Sequence, residues 1–134
     1  MKQILLDSSV VLDLFTRDPM FYQRSLSLLT ELGARHELLI NDAVYAEVSV
    51  GFRRIESLNK ALHVCEFVHG PIPKEALFLA SKAYLDYRRR GGSGTSPLPD
   101  FLIGAHAAVA GIPMVTRDPA RVRVVYPGVE IIEP

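Results

Sequence analysis

Gln3-Ile4-Leu5-Leu6-Asp7 is the stretch on which the reading of this chain turns. An apolar run begins directly after the amino terminus and stops at an acid. It reads as a short buried strand with a carboxylate at its carboxyl end. Ser8 or Ser9 then caps a short helix through Val10, Val11, Leu12 and Leu14. Asp18-Pro19 ends that helix and begins another. Over 20–34, Phe21, Leu28, Leu29 and Leu32 share one helical face, and Gly33 suits its end. Residues 37–40 read as a second strand closed by Asn41-Asp42, and 43–54 as a helix with Asp42 at its N-cap.

Further helices are expected over 57–68, stopped by Gly70-Pro71, and over 74–90, where Leu77, Ala80, Tyr84 and Tyr87 form a stripe. Gly91-Gly92-Ser93-Gly94-Thr95-Ser96-Pro97 reads as a flexible stretch. Residues 101–110 are apolar nearly all round, the mark of a buried helix, and Gly111 ends it. A third strand is expected over 112–116, with further short strands over 122–125 and 129–132. Short apolar strands alternating with helices predict a three-layer α/β/α sandwich around a mainly parallel sheet. At 134 residues the chain is expected to form one domain, 1–134. Such sheets place their sites at the carboxyl ends of the strands. That directs attention to Asp7, Asn41-Asp42 and Thr116-Arg117-Asp118.

Composition limits the function classes. Hydrophobic residues make up 49% and charged residues 22%, the mix of a compact protein. Fifteen Lys and Arg balance fifteen Asp and Glu, which argues against disorder and against a generic basic nucleic-acid binder. The single cysteine, Cys65, excludes an intrachain disulfide and a cysteine-rich zinc site and fits a reducing cytoplasm. No apolar run approaches the ~20 residues of a membrane span, and the apolar start is too short for a signal peptide.

Four acids stand where plain surface acids do not. Asp7 and Asp118 each follow a predicted strand, where a helix cap or an Asp-Pro turn would be the ordinary explanation. Glu47 has Ala43, Val44, Val50 and Gly51 as helical neighbours, so it lies in the inward stripe with no base to pair with. The ordinary alternative is a boundary glutamate that reaches solvent. Asp100 opens the buried helix, where capping is again an alternative. Together they gather carboxylates on one side of the sheet. Two unit charges ~4 Å apart interact by ~4 kcal/mol at an effective dielectric of 20, so the cluster needs protons or a divalent cation. Oxygen-only ligands favour Mg²⁺ or Mn²⁺, the ions of phosphate-ester chemistry. Setting the four acids apart leaves eleven against fifteen bases, a surplus of four positive charges elsewhere.

These pieces resemble a known family. Leu6-Asp7-Ser8-Ser9-Val10-Val11, Ala46-Glu47-Val48, Pro99-Asp100-Phe101-Leu102-Ile103-Gly104-Ala105-His106-Ala107, Val115-Thr116-Arg117-Asp118 and the closing Tyr126-Pro127-Gly128-Val129 are similar, in order and spacing, to PIN-domain ribonucleases. Within that family they resemble the VapC-type toxins of toxin–antitoxin pairs. The resemblance implies a Mg²⁺- or Mn²⁺-dependent endoribonuclease that cleaves RNA, forms a homodimer in the cytoplasm and is inhibited by an antitoxin whose tail enters the active-site groove. The family's acidic quartet falls on Asp7, Glu47, Asp100 and Asp118, with Asp7, Asp100 and Asp118 as metal ligands and Glu47 as a further ligand or acting through water. Thr116 matches a hydroxyl residue near the metal. Ser9 stands where many members carry Asn, and Pro119-Ala120-Arg121-Val122 departs from a family Phe.

His106 needs no catalytic part and is expected in or near the core. Arg117 is expected near the cleft. Arg88-Arg89-Arg90 and Arg53-Arg54 suit either helix-end charge placement or RNA contact. Tyr22, Tyr45 and Phe52 suit either a dimer or an antitoxin groove. The alternatives to a nuclease are a phospho-acceptor signalling domain and a catalytically silent module that keeps the fold to bind RNA or protein. The first would want paired acids after the first strand and a late lysine, whereas Ser8-Ser9 follow Asp7 and the last lysine is Lys82. A haloacid-dehalogenase-type phosphatase would want an acid where Ser9 stands.

Overall fold

The computed structural model describes residues 2–92 and 98–134. Its sheet is built from β1 (Gln3–Leu6), β2 (Glu37–Ile40), β3 (Val68–His69), β4 (Met114–Val115) and β5 (Ile131–Ile132). The strands lie in the order β3-β2-β1-β4-β5, and every pairing is parallel. β1 sits in the middle, with Leu5 and Leu6 fully buried, as a parallel strand covered on both faces requires.

Two helices, α1 (Ser8–Phe15) and α2 (Tyr22–Gly33), join β1 to β2. The next two, α3 (Asp42–Ser49) and α4 (Ile55–Val64), join β2 to β3. The return to the far side of β1 carries α5 (Lys74–Arg89) and α6 (Leu98–Ala110), and α7 (Ala120–Val125) joins β4 to β5. Right-handed crossovers place the helices of the outward and returning legs on opposite faces, which gives the expected three layers. The expected flexible stretch at 93–97 lies outside the described residues. No described helix is long and apolar enough to cross a membrane.

Several local expectations need correction. Asp7, not Ser8 or Ser9, is the N-cap residue of α1, and α3 stops at Ser49 rather than running to 54. Asn41, not Asp42, caps α3: its side chain accepts from the Val44 N–H at 3.0 Å. Both residue types cap well, and the buried Asn41 is the one that the end of β2 delivers to the helix axis. The helix expected over 57–68 ends at Val64. Glu66 adopts φ +58°, the Glu66 N–H donates to His63 O and the Phe67 N–H to Leu62 O. This Schellman ending turns the chain without the glycine that usually marks it, and frees Val68 and His69 to pair with β2. The strand expected over 122–125 is instead within α7. Val122-Arg123-Val124 alternates like a strand, yet only Val122 is buried while Val124 is 81% exposed.

One close approach fixes the returning leg. A Cβ on Gly104 would meet the Tyr126 ring at 2.7 Å, so only glycine lets α6 lie against the residue that follows α7. The Tyr126 hydroxyl donates to Phe101 O at 3.0 Å, and burial pushes its pKa up to about 12.

Candidate active site

The strand order reverses between β1 and β4, and open parallel sheets bind ligands outside the carboxyl ends at such a reversal. Asp7 leaves β1 there, and Thr116 leaves β4 beside it. The Asp7 N–H donates to Val115 O at 2.9 Å, which continues the pairing by one residue. The Asp7 carboxylate accepts on Oδ2 from Ser9 Oγ and from Thr116 Oγ1, both at 2.8 Å. Among the described residues Oδ1 has no hydrogen bond. Thr116 is 1% exposed, and its Oγ1 also accepts from the Asp118 N–H at 3.0 Å. One hydroxyl therefore ties the acid of β1 to the backbone of the acid after β4. The Asp118 side chain is exposed.

α3 and α6 supply the other two acids. The capping side chain of Asn41 also contacts His106, Nδ2 to Nδ1 at 3.1 Å, so the start of α3 is fastened to α6. His106 is 4% exposed, and burial lowers its pKa, the behaviour of the expected core histidine. Glu47, one turn into α3, accepts from Ser8 Oγ at 2.8 Å, which draws it toward the end of β1. Burial raises the Glu47 pKa, the Ser8 bond opposes this, and the carboxylates of Asp100 and Asp7 raise it further. Asp100, on the first turn of α6, also has a raised pKa. Burial is the main cause, Arg121 opposes it, and Asp7 and Asp118 add to it. Asp100 thus feels the charges of Asp7 and Asp118, and Glu47 those of Asp100 and Asp7.

A cavity of about 280 Å³ is lined by Asp7, Ser9, Asp100, Thr116, Asp118 and Arg121, among others. Glu47 is not in its wall; it joins the group through Ser8 and through its charge. Arg117 borders the cavity, but its charge points elsewhere. Its Nε lies 3.1 Å from Asp13 Oδ1, its guanidinium carbon lies 4.6 Å from the centre of the Phe21 ring, and Asp18 is 4.0 Å away. Arg88 and Arg90 are engaged on their own helix, with the Tyr84 hydroxyl and Asp86. Tyr45 stacks on His69 at 5.1 Å, Phe52 meets Phe15 edge-on, and Tyr22 lies beneath Arg17.

Sequence reasoning missed two partners. Ser8 holds Glu47, a role hidden behind its reading as a helix cap. Arg121 Nη1 donates to Asp100 Oδ2. It was hidden because the residues after it read as a strand, whereas the first turn of α7 swings it toward the acids.

The donor set is all oxygen, carries up to four negative charges and is held at strand and helix ends. That chemistry fits a hard divalent cation. As the side chains stand, no three Asp, Glu, His or Cys among the described residues form a ready metal cage, and Asp100 is occupied by Arg121.

No curated protein sequence matches the chain. Solved structures share its shape. The chain resembles VapBC2 from Rickettsia felis bound to a DNA fragment from their promoter, with a TM-score of 0.72, 17% identity and 98% of each chain covered. It also resembles DNA-bound VapBC from Salmonella typhimurium, with a TM-score of 0.68, 18% identity, and 99% of this chain and 98% of that one covered. A toxin–antitoxin complex from Klebsiella pneumoniae gives 0.64 at 20% identity over 96% and 95% of the two chains. The PIN domain family matches residues 4–125, a span that takes in all four acids and all but the last strand of the sheet. By that match the chain belongs to the PIN domain family.

Proposed function

We propose that the chain is a Mg²⁺- or Mn²⁺-dependent endoribonuclease that serves as the toxin of a toxin–antitoxin pair. The observation that carries this reading is the gathering of Asp7, Asp100 and Asp118 around one cavity, with Glu47 behind them, at the sheet's point of reversal. Asp7, Asp100 and Asp118 would hold the ion, with Glu47 as a further ligand or acting through a water. The ion would supply a water of lowered pKa and positive charge against the scissile phosphate.

The chain's own contribution is to hold the acids in place against their repulsion. Ser9 and Thr116 fix one oxygen of Asp7 and leave the other open, and Thr116 also fixes the backbone of Asp118. Ser8 holds Glu47 within the field of Asp7 and Asp100. The raised proton affinities of Glu47 and Asp100 express a site that gains from added positive charge.

The antitoxin partner is supported by likeness to chains solved in toxin–antitoxin complexes. A homodimer is supported by the exposed Leu77, Phe78 and Leu85 of α5. Action in the cytoplasm belongs to the same reading. PIN family membership gives no support to the phospho-acceptor alternative.

The test is cleavage of RNA by Asp7→Asn and Asp100→Asn. Both variants are expected to keep the wild-type circular dichroism spectrum and lose Mg²⁺-dependent cleavage by ~100-fold or more. Undiminished cleavage in both, from preparations free of contaminating nuclease, would remove the site assignment. A wild-type protein that binds RNA without cutting it would favour the silent module.

A further inference from the structure

Arg121 has no part in the reading above, yet its guanidinium is the positive charge that meets an acid of the cleft. Among the described residues, no other basic side chain forms an ion pair with Asp7, Glu47, Asp100 or Asp118. Its Nη1 donates to Asp100 Oδ2, one of the oxygens an ion would need. The side chains of Arg121 and Asp100 are 37% and 34% exposed, so water and ions reach the pair. Open pairs of this kind hold weakly. A divalent cation brings twice the charge to the same carboxylate and approaches it more closely. Arg121 also lines the neighbouring open groove with Asp118 and Arg123, so a guanidinium released from Asp100 stays beside the acids. A released arginine presents a fork that matches phosphate oxygens.

We propose that Arg121 is an exchangeable counter-ion: it neutralises Asp100 while no divalent cation is bound, yields that carboxylate to the cation, and then holds a phosphate of the RNA. This rests on the metal-dependent ribonuclease reading of the cleft. Metal binding and substrate binding thereby become linked through one side chain.

The test uses the full chain and three variants, Arg121→Gln, Arg121→Lys and Asp7→Asn. Mn²⁺ affinity is read by titration calorimetry. Affinity for a labelled 2′-O-methyl RNA oligonucleotide is read by anisotropy, with and without Mn²⁺. Arg121→Gln is expected to bind Mn²⁺ about threefold to fivefold more tightly, because nothing competes for Asp100. With Mn²⁺ present it is expected to bind the oligonucleotide more weakly than wild type by a similar factor. Arg121→Lys, which keeps the charge, should stay near wild type in Mn²⁺ affinity. Unchanged or weaker Mn²⁺ binding in Arg121→Gln would overturn the exchange and make Arg121 a fixed support of Asp100. Unchanged oligonucleotide binding would overturn its phosphate role. Mn²⁺ binding that survives Asp7→Asn, or no binding by any form, would overturn the metal-site reading itself and the exchange with it.

Discussion

Arg117 and Arg121 stand on either side of Asp118, four residues apart, and each pairs with an aspartate on a helix. Arg117 reaches Asp13 of α1, and Arg121 reaches Asp100 of α6. The surroundings differ. Asp13 is 1% exposed, accepts from Ser25 Oγ at 2.9 Å on its other oxygen, and lies under an arginine that also covers Phe21. Asp100 opens onto the cavity. Water competes poorly for the first pair and freely for the second. Burial thus makes the Arg117 pair a fixed strut between α1 and the segment bearing Asp118, while exposure leaves the Arg121 pair free to change partners.

The sharpest way to break this contrast is Arg117→Met. It leaves the Asp13 carboxylate buried without its partner, and stability measured by urea unfolding should fall by ~3 kcal/mol. The double variant Asp13→Leu/Arg117→Met should recover most of that loss, since no uncompensated charge remains. A loss below ~1 kcal/mol in the single variant would mean that Arg117 is no strut. Next in size is Thr116→Val, which removes the donor to Asp7 and the acceptor for the Asp118 N–H. Mn²⁺ affinity by calorimetry should weaken ~10-fold or more with the fold intact.

A smaller effect is expected at Glu47, whose pKa is raised from 4.5 in the folded protein. The folded state therefore holds this proton more tightly than the unfolded state does. Without divalent metal, that part of the stability is present below pH 4.5 and is lost as the pH rises through the elevated value. Glu47→Gln should thus melt above wild type at pH 7, and the difference should vanish by about pH 4. The smallest change is expected for Arg121→Gln, whose metal-free unfolding free energy should stay within about 0.5 kcal/mol of wild type. A large loss there would erase the distinction between the two arginines.

The parts legible in the sequence were those where one residue type has one use. Ile4-Leu5-Leu6 and Leu38-Leu39-Ile40 are buried runs too short for helices, and they became β1 and β2. Asp7, Asp100, Asp118 and Glu47 stood out because charge at a strand end or on an apolar helix face needs a reason; the first three line one cavity, and Glu47 lies outside its wall, held by Ser8. What escaped was decided by tertiary context. Val68 and His69 are a two-residue exposed edge strand with no pattern of their own. Glu66 takes a glycine's conformation without being glycine. Arg117 borders the cleft as its neighbours suggest, but its pairing with Asp13, distant in sequence, had no signal of its own. Arg121 passed unnoticed because a valine alternation hid the helical turn that aims it.

The bond from Thr116 to Asp7 spans 109 residues. Read as a schedule of synthesis, it means that the first acid of the cleft waits for a donor made 109 residues later. At 5–20 residues per second, roughly 5–20 s pass between the appearance of Asp7 and of its hydroxyl donor. Until then the central strand lacks one of its two neighbours, and the acids have no common pocket. A fragment released early carries Asp7 and Glu47 but not Asp118. An enzyme of the kind proposed here would gain its cleft only once Thr116 and Asp118 have been made and β4 has paired with β1.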